Sequence, residues 1–147
     1  MRPEDIEQLN QPWVKEFLAE KHLARLGTAN PKTAQPHVTP VWFDWDGECV
    51  YISAFISTRK AKEVQRNPRV SILIDVSEQD GPTRAVLFEG KAELLSDPAE
   101  VAPLASKIYT KYVGPEGIKA PDVASWIVDP ENRIIKLAPE RVYIWGW

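Results

Sequence analysis

The sequence predicts a mainly β domain with flanking α-helices: a small, largely antiparallel barrel with short helices packed outside it. Three observations predict it. Apolar runs of strand length recur between turn residues. The connections between consecutive runs are mostly short, which suits antiparallel neighbours. Few segments carry helical spacing or helix starts, so the helices act as cover for a sheet that must close on itself.

The elements follow in order. Pro12 suits a first helical position, and Trp13, Val14, Phe17 and Leu18 follow at helical spacing, so a helix runs to about Glu20 or Lys21. His22 to Ala29 reads as a short strand, and Asn30-Pro31-Lys32 as a loop. His37 to Trp45 is the next strand, Asp46-Gly47 a hairpin turn, and Val50 to Phe55 the return strand. Alternation puts Val38, Pro40 and Trp42 on one side and Thr39, Val41 and Phe43 on the other. Pro40 cannot donate to a sheet ladder. It implies an edge, a bulge, or a place where something other than a strand meets the backbone.

Thr58 to Arg66 reads as a short helix stopped by Asn67-Pro68, and Val70 to Val76 as a strongly apolar strand. Gln79 to Thr83 is a turn, and Arg84 to Leu95 a strand with Gly90 inside it. Asp97-Pro98-Ala99-Glu100 has a capping Asp, Pro at the first position and Glu at the third. Val101, Leu104, Ala105, Ile108 and Tyr109 continue that helix, with Pro103 straining or interrupting it. Gly114 to Pro121 is loop, and Arg133 to Leu137 and Val142 to Trp145 are final strands. The total is about six strands. No repeat, low-complexity tract or linker appears, so residues 1–147 are expected to form one domain.

Composition narrows the function. Apolar residues make up 44% and charged residues 27%, which is globular rather than disordered. No apolar run approaches the roughly 20 residues that span a bilayer. No signal-like stretch follows the first residues, and the single cysteine, Cys49, excludes an internal disulfide framework, so the expected compartment is the cytoplasm. The net charge of −3 gives no overall push toward nucleic acid. Two histidines and one cysteine, with no ligand-like spacing, predict no metal site. G-x-S-x-G, Walker-type and G-x-G-x-x-G motifs are absent, so any difficult chemistry falls to a bound cofactor. The six tryptophans read first as core and dimer-interface packing, and second as ligand contacts.

The most informative segment is Ser57-Thr58-Arg59-Lys60-Ala61-Lys62. A hydroxyl residue stands where an N-cap belongs, and two cations occupy the first turn. A helix N-terminus already carries about half a positive charge, so each cation there costs about a few tenths of a kcal/mol. Free N–H groups, a hydroxyl cap and two cations make sense together if an anion, above all a phosphate, sits on them. A plain solvated basic face is the alternative. Lys62, Arg66 and Arg69 extend the basic region, but no aromatic residue interleaves with it, which disfavours single-stranded nucleic acid.

The stretch from Gln35 to Val76 resembles the FMN-binding split β-barrel family named after pyridoxamine 5'-phosphate oxidase. The resembling residues are Pro36-His37-Val38-Thr39-Pro40-Val41-Trp42-Phe43, Tyr51-Ile52-Ser53, Ser57-Thr58-Arg59-Lys60-Ala61-Lys62 and Asn67-Pro68-Arg69-Val70-Ser71. The pattern is most similar to the small flavin- or deazaflavin-dependent reductases of that superfamily. The resemblance implies a six-stranded split barrel, a homodimer, and two cofactor sites at the subunit interface. It implies FMN as cofactor, with a deazaflavin coenzyme as the alternative. Arg59 and Lys60 match the phosphate-binding pair, with Ser57 and Lys62 as further contacts. Ser53 falls on the strand end that touches the phosphate or ribityl chain. Val38, Thr39, Pro40, Val41 and Trp42 match the strand lying along the isoalloxazine ring, and Trp145 or Trp147 is placed to reach the partner's ring. The tail Glu140-Arg141-Val142-Tyr143-Ile144-Trp145 lacks the late Arg-x-His of true pyridoxamine phosphate oxidases, so the vitamin oxidase itself is not expected. A lysine and a glutamine that lie near the flavin in those oxidases fall here on Phe43 and Ala85, so the resemblance lacks both of those contacts.

The remaining candidates have plain readings. His37 reads as a strand-end residue, Cys49 as a small hydrophobe, and Asp44 and Asp46 as turn chemistry. Tyr109 and Tyr112 either line a substrate pocket or pack by helical spacing. The expected function is a flavin-dependent oxidoreductase passing hydride between the flavin and a small or planar acceptor. The alternatives are a deazaflavin-dependent reductase, with Lys62, Arg66 and Arg69 guiding the acidic tail, and a non-catalytic flavin- or haem-binding module.

Overall fold

A computed structural model describes residues 1–79 and 81–146. The elements run α1 (Pro3–Leu9), α2 (Pro12–Ala19), β1 (Ala24–Ala29), β2 (Pro36–Val41), β3 (Asp44–Trp45), β4 (Val50–Phe55), α3 (Arg59–Arg66), β5 (Arg69–Ser77), β6 (Thr83–Leu95), α4 (Pro98–Gly117), α5 (Pro121–Ile127), β7 (Asn132–Leu137) and β8 (Arg141–Gly146). All strand pairings among them are antiparallel, in the order β2-β1-β5-β6-β7-β4-β3, with β8 added to β6. The fold is the expected split barrel with short helices: a curled antiparallel sheet whose helices lie against it.

The long strand β6 organises the sheet. Thr83 to Lys91 pair with β5 and Arg84 to Glu89 with β8, and then Ala92 to Leu95 pair with β7. Gly90 stands at this change of partner. A Cβ there would lie 3.1 Å from Leu137 Cδ1 and 3.2 Å from the Glu140 backbone nitrogen, so the close approach of backbone favours glycine. Leu26, Phe43, Ile52, Ile72, Ile74, Phe88, Ile135 and Leu137 fill the interior, and Phe17 and Leu18 of α2 plug it. Each such side chain contributes about 1.5–3 kcal/mol by leaving water. A second cluster joins Val101, Ala105 and Ile108 of α4 to Tyr51 and Ile134 of the sheet and to Cys49 just before β4.

Several expectations need correction. The expected strand His37–Trp45 divides into β2 and β3 at Trp42 and Phe43, so the seven strand segments read above, there totalled as about six, become eight among the described residues. The sequence reading has no counterpart of α1, although Pro3 at its start and Glu4 and Asp5 in its first turn suit a helix start. The fully buried Asp5 accepts from Arg2 at 2.7 Å and faces Arg141 of β8 at 3.5 Å, which docks this helix. Pro103 does not interrupt α4, although it removes one N–H donor from the helix interior. The break comes at Gly114 (φ 80°, ψ 170°), which glycine adopts freely, and Pro115 restarts the helix. The expected loop Gly114–Pro121 therefore carries a helical turn and leads into α5, which the sequence reading omits.

Candidate functional site

The start of α3 forms as its residues predict. Thr58 is the N-cap: its hydroxyl accepts from the Ala61 N–H at 3.4 Å and donates to the Phe55 carbonyl at 2.7 Å. Arg59 and Lys60 fill the first turn with no acidic residue beside them. Helix geometry leaves their N–H groups without intrahelical partners. The two cations diverge, because successive helical residues point about 100° apart.

Lys60 turns toward the sheet. It lines a cavity of about 160 Å³ with Pro40, Val41, Trp42, Ser53, Ile108 and Tyr109. Burial lowers its pKa, and it enters no ion pair among the described residues. Arg59 turns the other way. Its Nε donates to Glu63 at 3.2 Å, and Glu63, buried, also accepts from the Thr28 hydroxyl at 2.7 Å. Burial alone would raise the Glu63 pKa, but the hydrogen bonds from Thr28 and Arg59 outweigh it and hold the carboxyl below its usual range. Arg59, Lys62 and Arg66 line a separate cleft of about 590 Å³ with Asn30, Pro31, Lys32 and Glu63.

β2 is an edge strand, which answers the Pro40 problem: no strand neighbours its outer side among the described residues. Alternation is as expected, with Val38 64% exposed and Val41 and Phe43 buried. The Thr39 hydroxyl is buried without a hydrogen-bond partner among the described residues. Trp42 stacks on Tyr112 (centroids 4.7 Å, 3° between planes) and meets Tyr109 edge-on at 5.7 Å. Tyr109 in turn lies 6.1 Å from Trp126. The Ser53 hydroxyl donates to Asn132 Oδ1 at 2.7 Å.

The structure thus gathers Pro40, Val41, Trp42, Ser53 and Lys60 around one cavity and places Arg59 and Lys62 on the adjoining cleft. Val38, Thr39 and Ser57 line neither. Sequence reasoning placed Ile108 on a helix, Lys32 in a loop and Trp126 among the packing tryptophans, and named none of them as a site residue. The spacing of Tyr109 and Tyr112, three apart on a helix, carried the signal for an aromatic face. Tyr109 lines the cavity, while Tyr112 packs on Trp42 as helical spacing predicts.

The other candidates settle into structural roles. Asp46 Oδ1 accepts from the N–H groups of Glu48 and Cys49, and its Oδ2 from the Tyr51 hydroxyl, which is turn chemistry. Burial pushes the Cys49 thiol up, away from the reactive thiolate. Phe43 is fully buried, and Ala85 pairs with Trp145 on β8. Trp145 is part-exposed at the end of β8, and Trp147 lies outside the described residues.

The family described as pyridoxamine 5'-phosphate oxidase matches residues 11–146. Solved structures share the shape. A conserved hypothetical protein from Mycobacterium tuberculosis is 23% identical with a TM-score of 0.78, over 92% of this chain and 84% of that one. An F420 reductase is 24% identical with a TM-score of 0.68, over 88% of this chain and 94% of that one. HutZ, the haem storage protein from Vibrio cholerae, is 18% identical with a TM-score of 0.73, over 91% and 93%. At such identities the likeness establishes the fold alone. No protein of curated function matches the chain by sequence.

Proposed function

Since the chain belongs to the pyridoxamine 5'-phosphate oxidase family, we propose that it is an FMN-dependent oxidoreductase acting on a small or planar acceptor. One observation carries this reading. A half-buried lysine with no carboxylate partner among the described residues, Lys60, stands at a helix start and shares a cavity with Pro40 and Val41 of the edge strand and with Trp42 just beyond it.

The residues present fit such a cofactor. Lys60 and the first-turn N–H groups of α3 offer the charge and donors that a phosphate needs. Trp42 and Tyr109 offer aromatic walls, and the outer edge of β2 has no strand neighbour among the described residues, which leaves backbone groups open to a ligand. Bound flavin supplies hydride transfer, the chemistry that no side chain here can supply. The chain's own part is to anchor the phosphate, orient the ring against β2 and keep water from it. The cavity is smaller than the roughly 300–1,000 Å³ of a complete ligand site. A second copy docking along the open β2 edge, where Val38 stands out, would complete it, so the working unit is a homodimer.

The basic cleft favours a second reading, a deazaflavin coenzyme with a long acidic tail. Lys32, Lys62 and Arg66 enter no ion pair among the described residues and line a cleft that also reaches Arg59 at the same helix start. A phosphate at Lys60 would let such a tail run on into this cleft.

Titration of the apoprotein with FMN, followed by flavin fluorescence, tests the main reading. Wild type binds, and Lys60→Met weakens binding about 10- to 100-fold, the equivalent of one charge-assisted hydrogen bond. Unchanged affinity in Lys60→Met overturns the site. Binding without turnover from any nicotinamide or deazaflavin donor points instead to a non-catalytic holder.

A further inference from the structure

The break between β2 and β3 leaves Phe43 outside the sheet ladder while its side chain is fully buried. A backbone N–H and C=O so placed must find partners inside the protein. α4 supplies both, from two consecutive residues. The Phe43 N–H donates to the Tyr112 hydroxyl at 3.3 Å, and the Phe43 carbonyl accepts from Lys111 Nζ at 3.3 Å. Each partner is tied to a further element. Lys111 also donates to the Leu18 carbonyl at the end of α2, at 2.9 Å, and Tyr112 to the His22 carbonyl, at 2.5 Å. The Lys111 ammonium stands 3.7 Å from the centre of the Phe43 ring. Burial lowers the Lys111 pKa to about 8, and the nearby charge of Asp44 opposes that shift only in part.

The residue before this pinned backbone is Trp42. Its ring lies parallel to Tyr112 and forms one wall of the Lys60 cavity. We propose that Lys111 and Tyr112 are positioning residues: they clamp the strand break so that Trp42 is held as a fixed wall, and α4 thereby sets the opening that a planar ring meets. Neither residue lines the cavity. Both act through the Phe43 backbone, and Tyr112 acts also through the stack. The effect on ring binding rests on the flavin reading above; the clamp on Trp42 does not.

Protein labelled with fluorotryptophan separates the two. The chain has six tryptophans, and Trp42→Phe assigns the fluorine resonance of Trp42. Tyr112→Phe keeps the aromatic ring and removes both hydrogen bonds, and Lys111→Met keeps the apolar stem and removes the ammonium. In the apoprotein both variants shift or broaden the Trp42 resonance while that of Trp145, on β8 opposite Ala85, stays in place. Both weaken FMN binding about three- to tenfold. Tyr112→Phe is the milder change and decides the question if Lys111→Met does not fold. A Trp42 resonance that stays put in every folded variant overturns the proposal, as does an FMN affinity that ignores a shifted resonance. Wild type that binds no FMN overturns the flavin reading instead and leaves the resonance test of the clamp standing.

Discussion

The Thr28 hydroxyl donates to Glu63 Oε1 at 2.7 Å, joining β1 to a buried carboxylate on α3. The same carboxylate accepts from Arg59 four residues earlier. The basic helix start therefore stands on an acid, which offsets one of the two cations that crowd the helix N-terminus. Thr28→Val removes the hydroxyl at nearly constant volume and leaves Glu63 short of a donor. A loss of about 1–3 kcal/mol follows for a buried acceptor without its partner. Urea unfolding at neutral pH, compared with wild type, reads it; an unchanged midpoint would show that the contact contributes nothing.

Gly90 faces backbone on a neighbouring segment, so Gly90→Ala pushes a methyl group against the Glu140 nitrogen and Leu137. Backbone cannot swing aside as a side chain can. Thermal unfolding of Gly90→Ala should show about 1–3 kcal/mol of destabilisation, the usual cost of overpacking. Gly47, with open space around it, should show only the strain of its φ of 98° on the same substitution.

The parts of the fold that local chemistry decides were legible in the sequence. The Asp97 cap, the Asp46-Gly47 turn, the Thr58 cap and the alternation of Val38 to Phe43 all depend on near neighbours. The strand break at Trp42 and Phe43 was not legible, because its partner, Tyr112, lies 69 residues away. The seven-residue helices α1 and α5 bury too few residues to show a period, although Pro3 and Pro121 mark their starts. The candidate site was legible as residue types but not as geometry. One run holds Arg59, Lys60 and Lys62, yet helical rotation sends Lys60 to the cavity and the other two to the cleft.

Asp46 carries a pH dependence whose sign can be worked out. Burial raises its pKa, but the hydrogen bonds from Cys49, Tyr51 and Glu48 outweigh burial and hold the carboxyl below its ordinary 3.8. A group lowered on folding contributes stability above its unfolded pKa and loses it as pH falls through the folded value. Asp46→Asn should therefore cost most near neutrality, and the gap from wild type should narrow as pH drops below about 4. Unfolding curves at pH values on both sides of that range check this, and a gap that widens in acid contradicts it.

Charge reversal in the cleft distinguishes the two cofactor readings. Lys62 and Arg66 lie on the side of α3 away from the Lys60 cavity, so neither is placed to touch a phosphate held there. Lys62→Glu with Arg66→Glu replaces two cations by two anions on an exposed surface, where each contact is worth about 0.2–1 kcal/mol. For FMN, which ends at its phosphate, the expected change in affinity is under about threefold, from long-range charge alone. For a deazaflavin coenzyme whose acidic tail follows the cleft, attraction turns to repulsion at two points. Affinity should then fall about 10- to 100-fold and recover partly in high salt. Parallel titrations of wild type and the double variant with both cofactors give the comparison. Equal small losses for both would remove the tail from the cleft and leave FMN as the better-supported occupant. A large loss for FMN as well would mean that the phosphate sits among Lys62 and Arg66 rather than at Lys60.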